Sequence, residues 1–290
     1  MIFRMLWFAV SACLAVSATA KAQNNRPNGD KTSLGSDAKV DPKPKRRERV
    51  DNGGNKRGGR PFNSDVLKAE VMTLPASFST KTKALSDRYM FFSQIKGEAG
   101  KVPLIIYLHG GGGHRRDVGS LTNSPIARKI TEKKYPFALL IPQYKPTPSI
   151  SNGWNPDDLN LLIKHAIETH EIDPERVFLT GSSMGGAGTW MLANKYPQVI
   201  AAIAPMAAGG AESPKGELPV TPSKLKNVAI WAFHGDADKT CPHEKIQALV
   251  KKIEAAGGNP KFTLIPGGNH GATGKVYRED KLYEWFLQQE

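Results

Sequence analysis

The sequence predicts an α/β fold, a mostly parallel central sheet with helices on both faces, in one domain over residues 65–290. Residues 102–109 (VPLIIYLH) and 137–142 (FALLIP) are continuous apolar runs rich in Ile and Leu, as strands buried on both faces must be. Longer segments with helical spacing separate these runs from later ones, and that alternation is the pattern of parallel strands joined by crossover helices. A chain of 290 residues, 39% of them apolar, is long enough to bury one large core, given a prior of about 150 residues per domain. Gly 28 and Pro 21 fall well below a collagen-like or low-complexity composition. No internal repeat is visible.

The first 64 residues read differently. Arg4 precedes an uncharged apolar run over residues 5–20, and Ala18-Thr19-Ala20 or Ala20-Lys21-Ala22 offers the small-x-small pattern of a signal-peptidase site. Residues 1–22 therefore read as a signal peptide and the protein as exported, periplasmic or secreted. The run is shorter than the roughly twenty residues that span a bilayer. Val10-Ser11-Ala12-Cys13 has the shape of a lipobox, but the apolar run continues past Cys13, which argues against acylation there. With the leader removed only Cys241 remains, so no intramolecular disulfide can form. Residues 23–64 are Asn, Gly, Asp, Lys, Arg and Pro with almost no large apolar side chain, and read as a disordered basic linker. Residues 1–61 hold 13 Lys/Arg against 5 Asp/Glu, most of the net +13, so the basicity lies outside the domain. Such a segment is a solvated linker that can touch anionic envelope surfaces or acidic polysaccharide. An exported protein rarely meets nucleic acid, and no nucleic-acid partner is expected.

Along the domain, residues 67–95 alternate enough to supply one or two antiparallel edge strands. Pro156-Asp157-Asp158 opens a helix through residue 170, with Leu159, Leu162, Ile163, Ala166 and Ile167 at helical spacing and acids in the first turn. A strand over 176–180, a helix over 185–196, and strands over 199–205 and 228–234 follow. Cys241-Pro242-His243-Glu244 starts another helix, ended by Ala256-Gly257-Gly258 with a glycine C-cap. Residues 261–265 are the last clear strand and residues 277–287 a closing helix.

Chemistry concentrates at the strand ends. Gly181-Ser182-Ser183-Met184-Gly185 fits G-x-S-x-G between a predicted strand and a predicted helix, the context that presents a serine Oγ on a sharp turn. Ser182 is the competing serine, but its frame lacks glycines two residues to either side. A serine hydroxyl needs a base and an orienting acid. The strand over 228–234 runs into His234-Gly235-Asp236-Ala237-Asp238, with Asp238 the preferred acid, and Pro266-Gly267-Gly268-Asn269-His270-Gly271 presents His270 as the base. Leu108-His109 followed by Gly110 to Gly113 is an HGGG-type loop, from which Gly111 N–H, with Gly112 in reserve, is expected to join Met184 N–H in holding an oxyanion.

His109 and His234, each before a glycine at a strand end, read as scaffold residues that bond loop backbone, and His165 and His170 as helix-surface residues. His114, Trp154 and Tyr144 are candidates for lining a substrate pocket, whereas Trp190 reads as core. No H-E-x-x-H, C-x-x-C or G-x-x-x-x-G-K-[ST] spacing appears, so neither zinc chemistry nor nucleotide binding is expected and no cofactor is required.

On those residues, the chain from about 67 to 290 resembles the α/β-hydrolase superfamily, in its exported, single-domain esterase and peptidase-like branch. DPERVFLTGSSMGGAGTWMLANKYP resembles the nucleophile region of phospholipase/carboxylesterase-like proteins. These stand near the prolyl oligopeptidase catalytic domain, polyhydroxybutyrate depolymerases and feruloyl esterases. The resemblance implies a sheet of about eight strands, Ser183 as nucleophile, Asp238 as acid through an H-G-x-x-D pattern, and His270 as base. The 55-residue interval from Ser183 to Asp238 leaves little room for a large lid, so no large cap domain is expected, and an open site suits small or polymer-attached esters. A dienelactone-hydrolase-like enzyme would carry cysteine where Ser183 stands. The expected function is an exported serine esterase. A serine peptidase of small peptides is the alternative, and a non-catalytic envelope- or polysaccharide-binding protein using the basic tail is the rival from another class.

Overall fold

The structure, a computed structural model, describes residues 64–94, 101–148, 153–209 and 218–289. The leader expected at 1–22, with Cys13, and the linker expected at 23–64 apart from Ser64 lie outside the described residues.

Eight strands form a single sheet: β1 (Leu67–Thr73), β2 (Leu85–Gln94), β3 (Val102–Leu108), β4 (Ala138–Tyr144), β5 (Ile172–Ser182), β6 (Ala202–Met206), β7 (Ala229–Gly235) and β8 (Lys261–Ile265). Their spatial order is β1-β2-β4-β3-β5-β6-β7-β8. β1 and β2 are antiparallel and β2 is antiparallel to β4, whereas every pair from β4 to β8 is parallel. Only β1 is an edge on that side; β2 is internal, which is why Tyr89, Met90, Phe91 and Phe92 are all buried.

The helices are α1 (Ala76–Ser79), α2 (Pro125–Lys133), α3 (Pro156–Thr169), α4 (Met184–Lys195), α5 (His243–Ala255) and α6 (Asp280–Leu287). Strand alternation splits the apolar residues into two layers. Leu104, Ile106 and Leu108 of β3 point into a core closed by Leu159 and Leu162 of α3, Trp190 of α4 and Ile246 of α5. Ile105 points the other way, onto Ile126 and Ile130 of α2 and Tyr283 and Phe286 of α6. Helices therefore cover both faces, as the long apolar runs required.

Three local outcomes differ from the sequence expectation. The strand expected from residue 199 begins at Ala202, because Pro197–Val199 closes into a 3₁₀ turn. The closing helix expected over 277–287 is a 3₁₀ segment, Ala272–Arg278, followed by α6, because extended Glu279 separates them. Helix α2 is not among the predicted elements. Its signal is present, since Ser124 caps it by accepting from Ala127 N–H at 3.3 Å and Pro125 occupies the first helical position.

One buried carboxylate ties the antiparallel end to the helical layer. Asp158, in the first turn of α3, accepts from the backbone N–H groups of Lys83 at 3.0 Å and Ala84 at 2.7 Å, fixing the entry of β2. Removing it orphans buried donors, at roughly 1–3 kcal/mol. Asp158→Ala should therefore lower the urea midpoint by that amount with an unchanged m-value, and an unaltered midpoint would show that this tie carries no stability.

Candidate active site

Three parallel strands deliver Ser183, Asp238 and His270 to the same edge of the sheet, the C-terminal edge where open α/β sheets place their ligands. β5 ends at Ser182 and α4 begins at Met184, so one residue makes the whole turn. Ser183 sits at φ 58°, ψ −117°, a conformation that side-chain-bearing residues rarely adopt. Its N–H donates to Met206 O at 2.9 Å, and its carbonyl accepts from Gly209 N–H at 3.2 Å. The flanking glycines are a steric requirement. A Cβ on Gly181 would lie 2.6 Å from the Gly185 carbonyl, and one on Gly185 would lie 2.0 Å from Leu108 O. No residue with a side chain fits either position, which is the physical content of the G-x-S-x-G spacing.

The expected acid follows β7. Asp236 is exposed whereas Asp238 is buried, and this separates the two carboxylates that the sequence left adjacent. Asp238 Oδ1 accepts from Thr240 N–H at 2.9 Å and Cys241 N–H at 3.0 Å. Its Oδ2 accepts from His270 Nδ1–H at 2.8 Å. Burial alone would raise the carboxyl pKa, but the donors Cys241, His270 and Thr240 together outweigh it and hold the group below the ordinary carboxylate range. His270 stands on the loop after β8, where Gly267 takes a left-handed φ of 64°. Its Nε2 accepts from Ser183 Oγ–H at 2.9 Å. The network thus assigns the tautomer, with the proton on Nδ1. The three residues form a continuous relay from hydroxyl to imidazole to carboxylate, across 87 residues of sequence between Ser183 and His270.

The glycine loop after β3 closes the fourth side. A Cβ on Gly110 would lie 3.6 Å from Ser183 Cβ, so this loop passes directly over the turn at Ser183, while the space around Gly111 is open. Met184 opens α4, where first-turn N–H groups have no acceptor within the helix. His109 holds the loop as the scaffold expectation required: its Nδ1–H donates to Gly110 O at 2.8 Å, and its Nε2 accepts from Tyr144 N–H at 3.1 Å. A backbone amide can only donate, so the ring must be neutral here, and burial pushes its pKa down to about 4.

Two of the expected pocket residues take a different part. Trp154 and Tyr144 are buried, at 3% and 2% exposure, and do not line an open cleft. Trp154 Nε1–H donates to His109 O at 3.2 Å, its ring stands edge-on to the His109 ring, and Tyr144 packs on its other side. Both are props beneath the glycine loop. His114 is half-buried on that loop, edge-on to Tyr144. Trp190 is core, as expected. A cavity of about 350 Å³ that the sequence reading missed lies between the loop after β6 and α5, lined by Ala208, Gly209, Leu218, Val220, Cys241 and Leu249. It adjoins the relay through Gly209, bonded to Ser183, and Cys241, bonded to Asp238. Its sequence signal was the small-residue run Ala207-Ala208-Gly209 facing an amphipathic helix.

Residues 153–279 match the phospholipase/carboxylesterase family, a span that begins just before α3 and takes in the whole relay. The chain is 31% identical over 122 residues to the carboxylesterase SOBER1 of Arabidopsis thaliana, covering 38% of this chain and 50% of that protein. It is 28% identical over 129 residues to an Escherichia coli K12 protein provisionally named a carboxymethylenebutenolidase, covering 40% and 47%. The chain thus spans about half the length of these curated relatives. Among solved structures, a thermostable esterase superposes with a TM-score of 0.62 at 25% identity, over 78% of this chain and 63% of that one. Family match, sheet order and strand-turn-helix at Ser183 agree: the chain has the α/β-hydrolase fold, and no large cap domain stands over the site among the described residues.

The neutral state of His109 has a pH signature. In the folded protein its pKa is about 4 against 6.5 in the unfolded chain, so between those values the unfolded chain binds more protons. The contribution of His109 is fully present above pH 6.5 and is lost as pH falls toward 4, by up to about 3 kcal/mol. Urea denaturation at pH 7 and pH 4.5 should show a smaller pH dependence in His109→Asn than in the wild type, and equal slopes would remove His109 from the account.

Proposed function

We propose that the protein is a serine hydrolase that cleaves carboxylic esters through an acyl-enzyme intermediate. The observation that carries this reading is the unbroken relay, Ser183 Oγ to His270 Nε2 at 2.9 Å and His270 Nδ1 to Asp238 Oδ2 at 2.8 Å. His270 takes the hydroxyl proton as Ser183 Oγ attacks the ester carbonyl, and Asp238 steadies the imidazolium that forms. The oxyanion is held by the N–H of Met184 at the start of α4, where the helix dipole adds a partial positive charge, and by Gly111 N–H from the glycine loop. His270 then protonates the departing alcohol. A water, activated by the same nitrogen, returns the serine and releases the acid. Every step runs on protein groups, without a cofactor.

Esters are favoured over amides by the open site and by the likeness to carboxylesterases over the segment that holds the relay. The substrate class is a small or polymer-attached acyl ester, plant or microbial polysaccharide esters included. The cavity beside Gly209, lined by Leu218, Val220 and Leu249 and also by Glu244, Lys245 and Lys252, provides room for part of such a substrate. An exported address is supported by the leader pattern of residues 1–22, and contact of residues 23–64 with anionic envelope surfaces by their basic composition.

Treatment with a fluorophosphonate should add one adduct, mapped to Ser183 by mass spectrometry, and p-nitrophenyl acetate and butyrate should be hydrolysed by the wild type but not by Ser183→Ala. Asp238→Asn should lower kcat on the order of 10²- to 10⁴-fold by misorienting the imidazole, whereas Asp236→Asn should leave it nearly unchanged. Folded protein that neither labels nor turns over these esters would sink the reading, and preferential cleavage of an aminoacyl anilide would move it to a peptidase.

A further inference from the structure

The relay is bordered by a second imidazole. His234, at the end of β7, has no exposed surface. Its Nε2 lies 2.8 Å from Cys241 O and 3.3 Å from Asp238 Oδ2, the same oxygen that accepts from His270. Among the described residues its Nδ1 is buried without a partner. The proton therefore resides on Nε2, the one nitrogen with acceptors in reach. Burial lowers the pKa of the ring more than its bonds to Cys241 and Asp238 raise it, so the ring is neutral.

We infer that His234 is a positioning residue for the reaction, holding the turn from Gly235 to Cys241 so that Asp238 is fixed in the geometry that orients His270. The step rests on the esterase reading above. His234 Nε2–H closes the turn on Cys241 O, and the N–H of that same Cys241 donates to Asp238 Oδ1 at 3.0 Å. The two bonds form a short chain, imidazole to peptide to carboxylate. His234 Nε2–H also presents its positive end to Asp238 Oδ2 at 3.3 Å, which offsets part of the cost of burying that charge. Asp238 has no freedom left: Thr240 and Cys241 hold one oxygen, and the other faces two imidazoles. A scaffold histidine would stabilise the fold alone. This one acts on the reaction through the carboxylate, without touching substrate.

The test separates those roles by which nitrogen is replaced. A glutamine amide reaches the place of Nε2, and an asparagine amide reaches only that of Nδ1. In the full chain, His234→Gln should keep kcat for p-nitrophenyl acetate within a few fold of the wild type. His234→Asn and His234→Phe should lose about 10- to 100-fold in kcat, the range set by one hydrogen bond to a charged group, with KM unchanged. Rates are taken per folded molecule, from near-ultraviolet circular dichroism. In an Asp238→Asn background, His234→Asn should cost nothing further, because the group it positions has already lost its charge. Full kcat in folded His234→Asn, or an equal loss in the Gln and Asn variants, would overturn the inference. An additive loss in the double variant would overturn it as well. If the Phe variant does not fold, the Gln and Asn pair decides. Absence of any Ser183-dependent turnover in the wild type would instead count against the esterase reading.

Discussion

The site depends on how closely two backbones approach. Where Gly185 meets Leu108 O there is no space for a single extra carbon, and the same is true of Gly181 against the first turn of α4. That approach draws the start of α4 down onto the end of β3. It forces the chain to reverse within one residue, at Ser183, and sets the loop from β3 beside the hydroxyl. The strain at Ser183, of order 1–3 kcal/mol for such backbone, is sustained by Met206 O and Gly209 N–H on its two sides. The placements of Ser183, of the helix terminus and of the glycine loop are thus consequences of one packing contact rather than three independent events.

The electrostatics of the site are equally local. Asp238 is a buried anion surrounded by donors, two amides and two imidazoles. Lys195 with Asp157 and Lys68 with Glu70 are ion pairs at the surface, where solvent screens them. Neither of these pairs includes Asp238. Its ionised state follows from short hydrogen bonds within a few residues of it and from one imidazole brought from the next strand.

Much of this was legible before any coordinates. Long apolar runs located β3 and β4 because a strand buried on both faces has no room for polar residues, and G-x-S-x-G located Ser183 because the turn excludes side chains from its flanks. Asp238 over Asp236 came from the H-G-x-x-D pattern that the resemblance implies, and burial supplies the physical reason. The parts taken by Trp154 and Tyr144 were not legible. Trp154 and Tyr144 sit in sequence where a pocket lining would sit, and nothing in a one-dimensional pattern says that one indole N–H is committed to His109 O. The cavity beside Gly209 escaped for the same reason, since its walls come from separate segments that only the sheet brings together. Helix α2 carried a serine cap and a helix-starting proline in the open, yet its apolar stripe is too short to stand out from the glycine-rich stretch before it.

The sheet order has a consequence for when the protein acquires its reactivity. Ser183 directly follows β5, in the middle of the sheet, whereas His270 arrives only after β8, the outermost strand of the parallel end. A chain leaving the ribosome presents its serine long before its base has been synthesised, and until β7 and β8 have both docked that serine is an ordinary alcohol. The fold in this sense withholds its own relay: Ser183 Oγ has an imidazole within hydrogen-bond reach only where β8 has paired with β7, and a chain that stops short of β8 has no His270 to bond it.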